Sequence, residues 1–245
     1  MRNLVLDIGN TYYKLFVFED SRVVERRKFS RLLVSDLVSL HEQYHFQAAI
    51  LSTTRESEPE IVEWLERTIP HFEVFRSGIT PIPLVNNYAT PTTLGADRLA
   101  AAIAAAADYP NQELMIIDLG TAITIDFVSK QGVYLGGNIS LGYSSRLIAL
   151  HDQTGRLPLL KTPTESHPDL IGNSTNTAME HGVFNSVLYE LEGYISRNPK
   201  KIIIFTGGEA KYFVKLIKST IFVDYQLVPR GLNLVIEYNY NRNEV

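Results

Sequence analysis

Asn3-Leu-Val-Leu-Asp-Ile-Gly-Asn-Thr11 and Leu114-Met-Ile-Ile-Asp-Leu-Gly-Thr121 are two versions of one pattern, an apolar run that ends in Asp-x-Gly. Continuous apolar runs of this length, stopped by turn-forming residues, read as buried strands. Each is followed by two more strand-like runs, residues 12–18 and 23–29 after the first and 122–128 and 133–139 after the second. The aspartates, Asp7 and Asp118, lie 111 positions apart, which suits one copy of a small domain in each half of the 245-residue chain. Duplication is the simplest explanation, and it divides the chain into residues 1–110 and 111–245.

Working outward, the periodicity changes after each triplet. Residues 32–44 place Leu33, Leu37, Leu40 and Tyr44 at helical spacing, 47–52 read as a buried strand, and 59–69 as a second helix. In the other half, 143–151 and 175–197 read as helices, 201–205 as a buried strand and 211–218 as a closing helix. Residues 92–108 form an Ala-rich helix whose short side chains allow close packing, as a link between halves or a subunit contact. Each half then reads β-β-β-α-β-α, an α/β fold with a mixed sheet and helices on its faces.

Composition narrows the function. A net charge of −4 supplies no general attraction for a polyphosphate backbone, so no nucleic-acid partner is expected. The basic stretch from Arg22 to Arg31 alternates with apolar residues, as the solvated side of a strand would. The absence of cysteine excludes disulfides, thiolate catalysis and cysteine-ligated metals. No stretch approaches the roughly 20 apolar residues of a membrane span, and Asp7 interrupts the first apolar run too early for a signal peptide. A cytoplasmic protein without a membrane partner is the expectation. His41 and His45 have i, i+4 spacing without an evident third ligand, the other four histidines are scattered, and no Gly-x-Ser-x-Gly elbow occurs.

A strand that ends in Asp and turns at once through Gly sets a carboxylate beside exposed backbone N–H groups, the arrangement a metal-bound phosphate chain requires. Either Asp-x-Gly alone would read as a hairpin turn; two in equivalent places point to phosphate binding. Thr206-Gly-Gly-Glu-Ala210 follows a buried strand, where paired glycines leave a surface for a flat ring or simply make a strand-to-helix turn. Gly136-Gly137 offers the same two readings, adenine surface or hairpin closure. In Gly95-Ala-Asp-Arg98, Asp97 either stabilises a helix N-terminus capped by Thr92 or Thr93, or takes the proton of a phosphoryl-acceptor hydroxyl, with Arg98 on a carboxylate or amide of the same substrate.

Taken together, the ordered set Asp7-Ile-Gly-Asn-Thr11, Tyr88, Gly95-Ala-Asp-Arg98, Asp118-Leu-Gly-Thr-Ala-Ile-Thr124, Gly136-Gly-Asn-Ile139, Gly172-Asn-Ser-Thr175 and Thr206-Gly-Gly208 resembles the type III pantothenate kinases over nearly the whole chain. The resemblance implies a duplicated ribonuclease H-like, actin-like ATPase fold, two mixed sheets flanked by helices with the ATP cleft between them. It implies ATP-dependent phosphorylation of pantothenate, the first step of coenzyme A synthesis. Asp7, Ile8, Gly9, Asn10, Thr11, Tyr12, Tyr13 and Lys14 would form the first phosphate loop, with Asp7 reaching Mg²⁺–ATP through water. Asp97 would be the general base, and Tyr88, Gly95, Ala96, Asp97, Arg98 and Thr175 would hold pantothenate. Asp118 would bind a monovalent cation, K⁺ or NH₄⁺, Thr121 would contact ATP, and Gly207 and Gly208 would line the adenine site. Family members are homodimers, so a dimer is expected. In one departure, Leu141 stands before Gly142 where the family usually has Pro, which frees φ and restores an N–H. Two other readings stay open, another small-metabolite kinase or phosphatase on this fold and a nucleotide-binding regulator.

Overall fold

The structure, a computed structural model, describes residues 1–9, 12–53, 58–161 and 168–243. Two compact units emerge, one of residues 1–108, 132–134 and 226–245, the other of residues 109–131 and 135–225.

In the first unit, β1 (Arg2–Ile8), β2 (Tyr13–Glu19), β3 (Arg22–Phe29), β4 (Ala48–Thr53) and β5 (His71–Val74) form a sheet in the order β3-β2-β1-β4-β5. β1 runs antiparallel to β2 and parallel to β4, so the sheet is mixed. Leu4, Leu6, Ile8, Leu15 and Val17 meet Leu37 and Leu40 of α1 (Val34–Tyr44) and Ile61 and Leu65 of α2 (Pro59–Thr68) in one buried cluster. β3 lies at the sheet edge, and its alternate residues Arg22, Val24, Arg26 and Lys28 face solvent, as the alternating charge pattern predicts. A short strand, β6 (Val85–Asn86), pairs with Val133 and Tyr134. The Ala-rich helix α3 (Ala96–Asp108) starts later than residue 92, because Pro91–Thr93 makes a separate 3₁₀ turn and Leu94 is extended.

In the second unit β7 (Leu114–Leu119) runs antiparallel to β8 (Ala122–Val128) and parallel to β10 (Ile202–Thr206), again a mixed arrangement. β9 (Val133–Leu141) follows β8 at one side, and β11 (Phe222–Val223) pairs with β10 at the other. Met115, Ile117, Leu119, Ile123 and Ile125 pack against Leu147 of α4 (Tyr143–Gln153) and Val183, Phe184, Val187 and Leu191 of α5 (Thr175–Arg197). Tyr143 is buried in this core, and burial raises its phenol above the ordinary range.

Three features depart from the sequence reading. Residues 211–218 form no α-helix; only a 3₁₀ turn at Ala210–Tyr212 occurs, because fully buried Ala210 and Phe213 draw the chain into the core. The second half therefore runs β-β-β-α-α-β-β before its last helix. Residues 226–243, on the second-half side of a division at 110, pack instead in the first unit, mostly as α6 (Leu227–Asn243). There α6 lies along α3 and against β1 and β4, fixed by Arg230 to Asp108 (2.8 Å) and by Asn3 to Asn233 (2.8 Å).

Candidate active site

The duplication is geometric as well as sequential. Asp7 and Asp118 are each the penultimate residue of the strand flanked by an antiparallel and a parallel neighbour. On the parallel neighbour, Asp7 is matched by Ser52 and Asp118 by Thr206, both buried hydroxyl residues. Sequence reading did not single out Ser52; its signal was a hydroxyl residue near the carboxyl end of the parallel strand in each half, Ser52 in β4 and Thr206 in β10.

In the first unit the turn after β1 is closed by the Gly9 N–H donating to the Tyr12 carbonyl (3.1 Å). Lys14, directly across from Asp7 on β2, makes an ion pair with it at 3.2 Å. Lys14 is half exposed, at 51%, while Asp7 is 15% exposed, so the ammonium is the member that can swing to a phosphate. Ile8 and Tyr13 are buried, and Tyr13 donates its hydroxyl hydrogen bond to Glu58, at the start of α2, which pins the outgoing strand. Tyr12 is exposed with Lys28 resting on its ring face at 3.5 Å. Asn10 and Thr11 lie outside the described residues.

The same unit gathers most of the expected acceptor residues. Gly95 stands just before α3, and its carbonyl accepts the Leu99 N–H. Asp97 in the first turn is exposed, and its Oδ1 accepts the Arg98 N–H at 2.8 Å, which orients the carboxylate. Thr93 does not cap this helix, since its hydroxyl donates to the Thr90 carbonyl at 2.9 Å. Arg98 is only 5% exposed, with its guanidinium carbon 5.8 Å from the centre of the Tyr88 ring. Tyr88 in turn leans on the fully buried Tyr134, centroids 6.1 Å apart, and its N–H donates to Asn86 Oδ1 at 3.0 Å. A buried cation backed by two aromatic rings and an exposed carboxylate one residue away form a site for a substrate with a hydroxyl at one end and an anionic or amide group elsewhere.

In the second unit Gly207 has φ +87° and approaches the β7 turn closely; a Cβ there would lie 2.3 Å from Asp118 Oδ1 and 2.4 Å from the Leu119 carbonyl oxygen. Two hard oxygen donors therefore converge beside one glycine, a donor set that fits an alkali-type cation. The Thr121 carbonyl accepts the Gly142 N–H (2.9 Å) and the Ser145 hydroxyl (2.7 Å), while the residue itself stays exposed. Gly142 is pressed onto this turn, its would-be Cβ 1.9 Å from the Gly120 carbonyl oxygen, and Leu141 before it is 53% exposed. Gly136 and Gly137 lie within β9, where Gly136 takes φ +107° and Gly137 abuts the Ile125 carbonyl of β8, a close strand approach that leaves no room for a side chain. Thr175 opens α5 behind a capping box in which Ser174 and Thr177 exchange hydrogen bonds. His41 and His45 end α1 with rings 6.3 Å apart, and burial lowers the His41 pKa. Among the described residues no group of three or more His, Asp or Glu is placed to hold a metal.

A family model described as type III pantothenate kinase matches residues 3–197. The type III pantothenate kinase of Azobacteroides pseudotrichonymphae is 41% identical over 238 residues, spanning 96% of each chain. That of Bacteroides fragilis is 38% identical over 244 residues, 98% of this chain and 99% of its own. Among solved structures, a Campylobacter jejuni protein described as a Baf family transcriptional activator superposes with TM-score 0.62 at 23% identity, over 97% of this chain and 99% of that one. The activator of 2-hydroxyisocaproyl-CoA dehydratase from Clostridium difficile, with bound ADPNP, gives 0.58 at 14%, over 100% and 98%. These two establish the fold, the duplicated actin-like ATPase architecture of two mixed sheets flanked by helices. Identity of this level along almost the whole length establishes more: the chain belongs to the type III pantothenate kinase family.

Proposed function

We propose that this protein transfers the γ-phosphoryl group of ATP to the primary hydroxyl of pantothenate, giving 4′-phosphopantothenate for coenzyme A synthesis. The observation that carries this reading is the Gly95-Ala-Asp-Arg98 element at the start of α3, within a chain that matches pantothenate kinases nearly end to end. Asp97, oriented through Oδ1 by the Arg98 N–H, accepts the acceptor hydroxyl's hydrogen bond at Oδ2 and takes its proton as the phosphoryl group departs from ATP. Arg98, backed by Tyr88, holds the pantothenate carboxylate, and Thr175 adds a hydroxyl contact. Lys14 leaves Asp7 for the phosphates, and exposed Thr121 offers ATP a hydroxyl contact. Mg²⁺, reached by Asp7 through water, and K⁺ or NH₄⁺, held by Asp118 and the Leu119 carbonyl, supply charge neutralisation to the triphosphate when bound. Positioning does the rest, since a loose transition state asks little covalent chemistry of the protein.

Arg98→Lys tests the acceptor site. It keeps the charge but loses the planar fork, and it is expected to raise KM for pantothenate about tenfold while kcat and KM for ATP change little. Equal losses for both substrates would remove Arg98 from pantothenate binding.

The deciding assay is ATP consumption by the purified protein with pantothenate and Mg²⁺, in potassium or in sodium. Pantothenate-dependent turnover, faster in potassium, is the expected result. A second reading is favoured by the likeness to a protein described as a transcriptional activator. ATP binding without turnover in either salt would bring that regulatory reading forward, although a regulator has no use for the base that Asp97 supplies. A homodimer in the cytoplasm, where ATP is available, completes the proposal, and sedimentation equilibrium checks the dimer.

A further inference from the structure

One side chain of the second unit ties together both turns assigned to the nucleotide, although it holds no place in the chemistry described so far. Glu209 follows Gly207-Gly208, and its backbone N–H donates to the Leu119 carbonyl at 2.9 Å. Its carboxylate turns the other way and accepts the first-turn N–H groups of α4, Tyr143 at 3.0 Å and Ser144 at 3.2 Å, together with the Ser144 hydroxyl. An anion bound to the free amides of a helix start is a strong and directional contact. The same helix start is fixed to the phosphate-side turn by Gly142 N–H and the Ser145 hydroxyl, both donating to the Thr121 carbonyl. Leu119, Glu209, the first turn of α4 and Thr121 therefore form a closed ring of hydrogen bonds. Within that ring, Gly207 lies against Asp118 and Gly142 against Gly120, closer than any side chain would permit.

We propose that Glu209 is a positioning residue for the nucleotide, locking the Gly207-Gly208 surface to the Leu119–Thr121 turn so that the adenine rest and the phosphate turn keep a fixed separation. The proposal rests on the reading of this protein as an ATP-dependent enzyme. A ligand that touches both turns gains from their being held in advance. Without the Glu209 carboxylate the start of α4 loses its anion, the ring opens, and the ordering must be supplied by ATP on binding. Of the residues assigned to pantothenate, Tyr88, Gly95, Ala96, Asp97 and Arg98 belong to the other unit, and Thr175, which opens α5, makes none of the hydrogen bonds of the ring. The signature is therefore selective for ATP over pantothenate.

The test compares the full-length wild type with Glu209→Gln and Ser144→Ala, measuring ATP Kd by calorimetry without pantothenate and then KM for each substrate. Glu209→Gln keeps the shape but removes the charge, and is expected to raise ATP Kd and KM about tenfold, with KM for pantothenate and kcat at saturating ATP within about twofold. Ser144→Ala, which deletes one donor to the carboxylate, is expected to raise ATP Kd about two- to threefold. A folded Glu209→Gln with wild-type ATP Kd overturns the proposal, and so does a parallel rise in both KM values, which would mark a general loosening. If Glu209→Gln does not fold, an unchanged Kd in Ser144→Ala overturns it. A wild type that binds ATP but leaves pantothenate unphosphorylated would sink the kinase reading alone, and the Kd comparison would still decide the role of Glu209.

Discussion

Asp97→Asn is expected to lower turnover by roughly 10² to 10⁴, the usual worth of a general base. The amide has the same shape, and its oxygen can still accept the Arg98 N–H that Asp97 Oδ1 accepts at 2.8 Å, so α3 should start where it does now. What disappears is the ability of the outer oxygen to take a proton. KM for ATP and for pantothenate should therefore stay near the wild-type values while kcat falls, and steady-state kinetics across a range of pH separates the two. A variant with a near-normal rate would remove Asp97 from the chemistry and leave it as a helix-start residue only.

The second large effect is on stability. Gly231 is buried in α6, and a Cβ there would lie 1.8 Å from the Ala100 carbonyl oxygen and 2.5 Å from its carbon, both backbone atoms of α3. Replacing a mid-helix glycine by alanine ordinarily stabilises by about 1 kcal/mol. Here a clash with backbone cannot be relieved by a rotamer change, so the two helices must separate. Overpacking of this kind costs about 2–4 kcal/mol net, and Gly231→Ala should lower Tm by roughly 5–15 °C in a chain of this size. Because Ala100 lies within one helical turn of Asp97, the folded fraction should also lose activity. A thermal scan with Tm equal to or above wild type would show that α3 and α6 are not in the contact described.

Much of the fold was legible because its signals are local. The two Asp-x-Gly strands, the Ala-rich helix and the 175–197 helix each declare themselves within a short window, and the proposed acceptor element Gly95-Ala-Asp-Arg98 is likewise a local motif. α6 was not legible for a physical reason. Asn3, Asn233 and Asn239 are buried, and their amides are partnered with Asn233, Glu237 and Glu73, so the helix hides polar residues where an apolar stripe would be sought. Pro229 and Gly231 inside its first turns weaken the pattern further. Residues 211–218 failed in the opposite sense, since their helical spacing of apolar residues answers to a core that takes Phe213 from an irregular segment. The motif glycines could be named from sequence, yet not what each touches. That Gly207 presses on Asp118, or Gly142 on Gly120, depends on chain segments far apart.

The return of α6 to the first unit also sets an order of events during synthesis. Residues 1–108 leave the ribosome with β1 and β4 uncovered on the side that α6 will occupy, and the whole of residues 135–225 must be made before that cover exists. The second unit's main segments are nearer one another in the chain, so it can close while the first still waits for its last helix. Until then the apolar faces of α3 and of the first sheet are exposed to other nascent chains, and a brief need for chaperone shelter is the consequence of a helix coded so far from its partners.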